Sequence, residues 1–195
     1  MVTGDSEGTA RATAIKAGII SQEEAGRHGV IMSGKEFREA IGNITQITDA
    51  EGNQKIGLEN EVQFAKMIPD LKVLYRAIPE DKTALVIGLR TVGQAGAGGR
   101  AVAVTGEGLN DRAALEEADV GIAMGNAGCD VAKNASDIIL LDDNFSNVVR
   151  SVMWGRNIYN NIRKFLVFQV TVMVATLLIV FLSGAIWGQS PLTIV

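Results

Sequence analysis

Ala101-Val-Ala-Val-Thr-Gly-Glu-Gly-Leu-Asn-Asp111 is the stretch that decides the fold of this chain. It starts with an unbroken apolar run, which is typical of a parallel strand covered on both faces. Gly106 and Gly108 then allow a sharp turn and a close approach of the backbone to a ligand. Glu107 and Asp111 follow at the carboxyl end of the strand, where open α/β sheets place their binding crevices.

Glu107 and Asp111 suit a Mg²⁺ ion and a phosphoryl group, because Mg²⁺ prefers oxygen ligands and commonly shares them with phosphate. The alternative is that Asp111 only caps a helix over Arg112–Ala118 and that the glycines only form a turn. The stretch by itself leaves both interpretations open.

The composition excludes several classes of protein. A net charge of −4 over 195 residues gives no general basic surface for nucleic acid. The single cysteine, Cys129, excludes an internal disulfide and is interpreted as a buried or idle thiol. The only histidine, His28, is predicted on the surface, without partners for a metal site. The amino terminus shows no secretory signal.

One apolar segment predicts a transmembrane helix. Phe165–Ile186 carries no charged residue, and as a helix it would span about 33 Å against a hydrocarbon core of about 30 Å. The alternative is a fully buried helix of a soluble protein. Trp187 follows at the far end, as an interfacial aromatic residue would. Basic residues before the segment place everything before residue 165 in the cytoplasm; they are Arg150, Arg156, Arg163 and Lys164.

From Val73 to Leu141 the order β-α-β-α-β-α-β predicts an α/β fold with a mostly parallel sheet and right-handed crossovers. Residues 21–60 are polar and are interpreted as a solvated connector, and Gly93–Gly99 as a turn. The individual elements are predicted at Thr9–Ala17, Val30–Met32, Lys35–Ile41, a small hairpin turning at Glu51–Asn53, Glu61–Ile68, Val73–Tyr75, Thr83–Val92, Ala113–Ala118, Val120–Met124, Cys129–Ala135 and Asp137–Leu141.

Two further polar features accompany this pattern. Thr3-Gly-Asp5 follows an apolar residue directly, although such sets are commonplace in turns. Lys82 lies in the first turn of a predicted helix, where the helix dipole disfavours a cation. A phosphate held nearby would offset that cost; the alternative is a surface ion pair of Lys82 with Asp81 or Glu80.

The last predicted element is one long helix. Asp142-Asp143-Asn144 would cap its start, and the helical pattern runs from Ser146 past Lys164 into the apolar segment without a proline. Such a helix would connect a phosphate site mechanically to a membrane.

Several of these stretches resemble, in order, the motifs of P-type ATPases. Thr105–Asp111 resembles the family's Thr-Gly-Asp-Gly-x-Asn-Asp hinge. Trp154–Val172 looks most like the calmodulin-regulated, plasma-membrane type of calcium pump. The other matching stretches are Met1–Asp5 (Met-x-Thr-Gly-Asp), Arg76–Lys82 (the segment with the phosphate-site lysine), Ala114–Gly125 and Asp130–Phe145.

The resemblance implies a haloacid-dehalogenase-like (Rossmann-like) fold and ATP hydrolysis coupled to ion transport through an aspartyl-phosphate. It implies ATP and Mg²⁺ as cofactors and Ca²⁺ as the transported ion. It implies that Thr3 and Lys82 contact the phosphoryl group and that Gly4, Asp5 and Arg76 lie on the nucleotide side. Glu107 would be the Mg²⁺ ligand, and Asn110 and Asp111 would complete the site, with Asp111 behind the metal's direct ligands. The residual polar groups of an ion path would be Gln169, Thr171 and Thr176.

Three departures from the family pattern are visible in the sequence. The Asp-Lys-Thr-Gly-Thr nucleophile motif is absent from these residues, as are the nucleotide-binding and actuator domains. Glu107 stands where the family has Asp, and the extra methylene displaces the carboxylate by about an ångström, while active sites need placement within about 0.5 Å. Met173 stands where this pump type has an Asn that helps to bind Ca²⁺, and a thioether is a poor ligand for a hard cation.

We therefore expect the carboxy-terminal part of a calcium-pump phosphorylation domain (1–145), a stalk helix (146–164), a transmembrane helix (165–186) and the start of an extracytoplasmic loop (187–195). Alone, this chain should neither hydrolyse ATP nor transport Ca²⁺, since it lacks the nucleophile. The alternatives are a non-catalytic, membrane-anchored pump remnant or regulatory binding module, and a soluble phosphatase of the same fold.

The expected partners are ATP, the lipid bilayer, and either the amino-terminal part of the pump or an intact pump. Nucleic acid is not expected, and no calmodulin site is visible in these residues. The expected location is the plasma membrane or an internal membrane of the vacuolar or endoplasmic-reticulum type.

Overall fold

The computed structural model describes residues 1–48, 54–95 and 101–187. It divides into two units, Met1–Asp143 and Asn144–Val195. The elements are α1 (Glu7–Lys16), β1 (Ile31–Ser33), α2 (Gly34–Ile41), β2 (Ile44–Thr48), β3 (Gln54–Leu58), α3 (Glu61–Met67), β4 (Val73–Tyr75), α4 (Pro79–Ala95), β5 (Ala103–Gly106), α5 (Arg112–Glu117), β6 (Val120–Met124), α6 (Asp130–Asn134), β7 (Ile138–Leu140) and α7 (Ser146–Trp187), with short 3-10 turns at Glu24–Gly26 and Leu109–Asp111.

The strands of the first unit are mostly parallel, as the α/β alternation predicts. Strands β5, β6 and β7 form one parallel sheet in that order. Strand β4 pairs in parallel with β1, and Val2 forms a further parallel bridge with Leu74. Among the described residues β4 therefore pairs with β1 and Val2 rather than with β5, so the parallel strands form two sheets instead of the single one predicted. Strands β2 and β3 form an antiparallel hairpin.

Strand β5 is more exposed than its apolar sequence predicts. Ala103 and Thr105 are exposed and Val104 is half-buried, whereas the three central residues of β6 are buried. The prediction that this strand is covered on both faces is wrong, because Ala103 and Thr105 point to the same face and that face is exposed. Among the described residues β5 also lies at the edge of its sheet, with a hydrogen-bonded neighbour only on the β6 side.

The segment interpreted as a solvated connector contributes to the core, so that interpretation is wrong. Phe37, Ile41 and Leu58 are almost completely buried, and they pack with Phe64 and Leu74 in one cluster. The rings of Phe37 and Phe64 meet edge to face at 6.3 Å. Positions 37 and 41 are one helical turn apart on α2 and face the same way. A single apolar pair of this kind is too short a pattern to predict a buried helix face in a polar, glycine-interrupted sequence.

Most element bounds agree with the sequence pattern within one or two residues. Gly18, with a φ of 72°, follows α1 in the left-handed conformation that commonly ends helices. The largest difference is at α4, which begins at Pro79 rather than at Thr83, because proline is well accommodated at the first helical position. The predicted turn at Glu51–Asn53 and most of Gly93–Gly99 lie outside the described residues.

The described part of the second unit is one continuous helix, as predicted. Helix α7 runs over 42 residues, and the Oδ1 atom of Asn144 accepts a hydrogen bond from the Ser146 N–H at 3.0 Å at its start. Within the described part of the chain, this is the one helix whose length and composition suit a membrane crossing. Asp143, by contrast, does not cap α7: its carboxylate accepts hydrogen bonds from the N–H groups of Asn126 and Ala127.

Candidate functional site

A pocket of about 340 Å³ gathers most of the predicted site residues in the first unit. Its position is the one that parallel α/β sheets favour, because Gly106 ends β5 and Met124 ends β6. The residues that line it are Val2, Thr3, Gly4, Lys82, Thr105, Gly106, Glu107, Asp111 and Met124.

Lys82 and Asp111 form an ion pair inside this pocket. The Nζ atom of Lys82 donates to Oδ1 of Asp111 at 2.6 Å, and both side chains are largely shielded from solvent. The alternative of a surface pair between Lys82 and Asp81 or Glu80 is wrong, because Asp81 is buried and binds Arg38 instead. A partly buried lysine at the start of α4 is held by a carboxylate from the loop after β5.

The second oxygen of Asp111 organises the glycine loop. Oδ2 accepts hydrogen bonds from the N–H groups of Glu107 and Gly108, each at 3.1 Å. No side-chain hydrogen bond of Asp111 caps α5, so the simple helix-cap interpretation is wrong. Gly106 makes this arrangement possible, since a Cβ atom there would stand 2.6 Å from the Cβ of Asp111.

Burial raises the pKa of the Asp111 carboxyl, but the hydrogen bonds from Lys82, Gly108 and Glu107 outweigh that effect. Together with the charge of Lys82 they hold the pKa of Asp111 below its ordinary value. Asp111 is therefore a carboxylate at neutral pH, and both of its oxygens are engaged by donors.

The Thr3–Asp5 segment reaches the pocket through main-chain pairing. The Thr3 N–H donates to the Leu74 carbonyl at 2.9 Å, and the Thr3 carbonyl accepts from the Ala77 N–H at 2.9 Å. The Thr3 hydroxyl accepts from the Asp5 N–H at 3.2 Å. Thr3 and Gly4 consequently line the pocket beside Lys82.

The three remaining residues predicted for the nucleotide and phosphate side do not line this pocket. Asp5, Arg76 and Asn110 are exposed in its surroundings. The Arg76 N–H donates to the Asp5 carbonyl at 3.0 Å, and Arg76 has a φ of 47°, an unusual backbone conformation for a residue other than glycine. That conformation turns the chain from β4 into the first turn of α4.

The donor set in the pocket fits part of a Mg²⁺ site. Both oxygens of Asp111 already accept hydrogen bonds. Of the two carboxylates that line the pocket, Glu107 is therefore the one available to bind a metal. Among residues 1–48, 54–95 and 101–187, no three His, Cys, Asp or Glu side chains form a metal-binding group. Mg²⁺ is commonly held by one or two carboxylates with phosphate and water, so Glu107 could hold it only together with a phosphoryl group or another segment.

The three α7 residues predicted for an ion path do not lie on one face of the helix. Gln169 and Thr176 are seven positions apart and lie on the same side of the helix, whereas Thr171 points nearly the opposite way. The hydroxyls of Thr171 and Thr176 both donate to carbonyls one turn back, of Val167 and Val172. Two of the three groups proposed for an ion path are thus already bound to their own helix.

Thr105 and Met124 also line the pocket, although their places in the sequence predicted no role for them. Both stand at the carboxyl end of a predicted strand. The rule that places crevices at these ends would have found them.

The first unit has an α/β fold of the haloacid-dehalogenase-like class: its strands are mostly parallel, and a family profile described as haloacid dehalogenase-like hydrolase matches residues 91–152. Over 98% of its length the chain is 48% identical to plasma membrane calcium-transporting ATPase 3 of Homo sapiens. It is likewise 48% identical to ATPase 4 of Bos taurus and 47% identical to ATPase 1 of Mus musculus. The chain is thus a homologue of one segment of the plasma-membrane calcium-transporting ATPases, and the resemblance drawn from its motifs is confirmed.

The chain spans about one seventh of the length of these relatives, with 14% covered in the human protein and 15% in the bovine one. Among solved structures, one titled for the catalytic domain of the CPx-ATPase CopB-B is 34% identical, with a TM-score of 0.37 over 48% of this chain and 35% of that one.

Proposed function

We propose that this chain is the carboxy-terminal part of the phosphorylation domain, with one membrane helix, of an ATP-driven pump that exports Ca²⁺ from the cytosol. The observation that carries the proposal is the pocket in which Thr3, Gly4, Lys82, Glu107 and Asp111 meet, although Thr3 and Asp111 are far apart in the sequence. The similarity to calcium-transporting ATPases along almost the whole chain supports the same function.

In this proposal each pocket residue has a defined task. Lys82 and the Thr3 hydroxyl bind the phosphoryl oxygens, and Asp111 keeps the Lys82 ammonium group in place between turnovers. Glu107 would help to hold Mg²⁺, and the ion would supply charge neutralisation at the phosphate. Positioning and charge neutralisation account for most of the catalysis of phosphoryl transfer. Asp5 and Arg76, which are exposed and do not line the pocket, contact the nucleotide.

In this proposal the nucleophile comes from another segment, and two open strand edges support a place where that segment would pair. Among the described residues β5 has a strand partner on one side only, and Val2 pairs with Leu74 alone. The pocket lies between these two edges. A strand from the amino-terminal part of the pump would pair along them, satisfy the open edge of β5, and deliver its aspartate to Lys82 and Thr3.

Phosphoenzyme formation from radiolabelled ATP in the presence of Ca²⁺ tests this proposal. The chain alone should give no acid-stable label, because it contains no suitable nucleophile. The chain joined to the preceding part of a plasma-membrane calcium pump should become labelled, and a Lys82→Met version of the same fusion should not. Label on the isolated chain, or no label on the unmodified fusion, would contradict the proposal.

Glu107 favours a second candidate, a membrane-anchored regulatory module without catalysis. Its longer side chain stands where the family has Asp, and Mg²⁺ demands near-ideal octahedral geometry. In that case the unmodified fusion would stay unlabelled, a Glu107→Asp fusion would become labelled, and the natural chain would co-purify with an intact calcium pump. Failure to co-purify from membranes that contain the pump would count against this candidate.

A further inference from the structure

Asp81, the residue before Lys82, is an almost completely buried carboxylate. Its side chain is 1% exposed. Its Oδ2 atom accepts hydrogen bonds from the Ile78 N–H at 2.9 Å and from Nη1 of Arg38. Burying an ionised carboxylate is costly unless it is paired, and a buried ion pair adds little net stability compared with apolar residues. Stability alone is therefore a weak reason for a charge at this place.

Arg38 reaches Asp81 from another helix. It lies on α2, 43 residues earlier in the chain, and its own side chain is 40% exposed. The start of α2 also packs directly on the segment before Lys82: a Cβ atom at Gly34 would stand 2.5 Å from Oδ2 of Asp81 and 2.8 Å from the Arg76 carbonyl oxygen. Helix α2 and the turn into α4 are thus in close contact, with the Arg38–Asp81 pair joining them.

The same turn is fixed on its other side by the Thr3–Asp5 segment. The N–H groups of Arg76 and Ala77 donate to the carbonyls of Asp5 and Thr3. With Arg38 and the Ile78 N–H both bound to Asp81, the backbone from 76 to 81 is held at each end. Lys82 comes next, so the direction in which its side chain leaves the helix depends on this turn.

Helix capping alone does not account for Asp81. Capping the Ile78 N–H from position 81 requires only an acceptor oxygen, which Asn, with the same shape as Asp, would supply without a buried charge. The charge becomes useful through the guanidinium of Arg38, since charge-assisted hydrogen bonds are shorter and stronger than neutral ones. The pair fixes the orientation of the first turn of α4 as well as satisfying its N–H.

We propose that Asp81, held by Arg38, is a positioning residue that sets the first turn of α4 and so places the ammonium group of Lys82 in the pocket. The geometric part of this proposal concerns Lys82 and Asp111 alone. Its consequence for phosphoryl transfer rests on the function proposed above.

Competitive acetylation of lysines with trace acetic anhydride tests the positioning, using the full chain in detergent micelles and mass spectrometry. In the unmodified chain Lys82 should react slowly compared with Lys35, whose side chain is 80% exposed. Asp81→Asn and Arg38→Gln should each raise the rate at Lys82 about fivefold, which corresponds to an ion pair weakened by about 1 kcal/mol. The conservative Arg38→Lys variant should restore much of the slow rate.

Arg90→Gln is the matched control for a merely structural effect. Arg90 lies about two turns further along α4 and pairs with Glu117 and Asp119 rather than with the first turn. Its loss should lower the unfolding temperature without changing the rate at Lys82. The Arg38 side chain is partly exposed, so we expect Arg38→Gln to fold even if Asp81→Asn does not. In that case the rate at Lys82 in Arg38→Gln tests the positioning role. An unchanged rate at Lys82 in folded Arg38→Gln protein would overturn the proposal.

A second readout separates this inference from the proposed function. Inorganic phosphate at millimolar concentration should slow acetylation of Lys82 in the unmodified chain and much less in Asp81→Asn, if the pocket binds phosphoryl groups. A faster rate in Asp81→Asn without any phosphate protection in the unmodified chain would support the positioning role and count against the phosphate site. Equal phosphate protection in both chains would contradict the positioning role.

Discussion

At the scale of single residues, the site depends on the space that Gly106 leaves for Asp111. Replacing Gly106 by Ala adds a Cβ atom 2.6 Å from the Cβ of Asp111. We expect Gly106→Ala to lower the free energy of unfolding by about 1–3 kcal/mol, the usual cost of forced overpacking, and to displace Asp111 from Lys82. Scanning calorimetry of the chain in detergent would measure the loss.

Gly108 in the same loop provides the matched control. A Cβ atom at Gly108 would be no closer than 3.7 Å to its nearest neighbour, and its φ of −110° suits any residue. Gly108→Ala should therefore unfold at nearly the temperature of the unmodified chain. Equal losses in the two variants would mean that the loop tolerates no side chain anywhere and that the contact with Asp111 is not special.

The Asp111 carboxylate should also make stability depend on pH in a predictable direction. Because its pKa is lower in the folded chain than in the unfolded one, its contribution is fully present above the unfolded value of about 3.9. That contribution is lost as the pH falls through the folded pKa. Asp111→Asn should be less stable near pH 7 by about 1 kcal/mol, since partial exposure screens the pair, and the difference should shrink in acid.

Thermal unfolding of both chains between pH 7 and pH 2 measures this difference. A gap between Asp111→Asn and the unmodified chain that widens in acid would show that Asp111 carries its proton in the folded state. A Glu23→Gln variant, which removes an exposed carboxylate far along the sequence, should follow the unmodified chain throughout.

At the scale of elements, the loop between β6 and α6 is fixed from two sides. The Cys129 N–H donates to the Glu107 carbonyl at 2.9 Å. Asp143, the last residue of the first unit, accepts from the Asn126 N–H at 2.9 Å and from the Ala127 N–H at 2.7 Å. The loop is therefore bound to the main chain of Glu107 through Cys129 and to Asp143 through Asn126 and Ala127.

We expect Asp143→Ala to loosen this loop and to lower the unfolding temperature, whereas Asp143→Asn, which keeps one acceptor oxygen, should have a smaller effect. The hydrogen bond from Asn126 is the main reason that the pKa of Asp143 lies below its ordinary value, so the difference should again fade as the pH falls through that pKa. Hydrogen exchange at Asn126 and Ala127 is the direct measurement. Unchanged protection of both amides in Asp143→Ala would refute the role of Asp143.

The elements and the site could be predicted to different extents, for physical reasons. The strand-then-glycine-loop pattern at Thr105–Asp111 carries its own turn chemistry, so the pocket residues after β5 could be found locally. The Arg38–Asp81 contact could not, since it joins helices 43 residues apart and neither side chain has a distinctive neighbour pattern. The exposure of β5 was equally unpredictable, because an apolar run shows that a strand can be covered and not which segment covers it.

At the scale of the whole molecule, the charge pattern of α7 predicts on which side of a membrane the first unit would lie. The helix has no acidic residue, and its four basic residues all precede the apolar segment. From the positive-inside tendency we expect the first unit to stay in the cytoplasm. The sequence itself contains reporters of that arrangement, because Asn43-Ile-Thr, Asn134-Ala-Ser and Asn144-Phe-Ser fit the Asn-x-Ser/Thr acceptor pattern for glycosylation.

We expect these three acceptors to remain unmodified when the chain is made in the presence of microsomes, and an acceptor appended beyond Val195 on a polar extension to be glycosylated. Modified chains migrate more slowly and return to the original position after endoglycosidase treatment. Replacing Arg163 and Lys164 by Gln should increase the inverted fraction, since basic residues beside the membrane set the orientation. Glycosylation of the natural acceptors in the unmodified chain would place the pocket on the side without cytosolic ATP, and the proposed pump function would then be untenable.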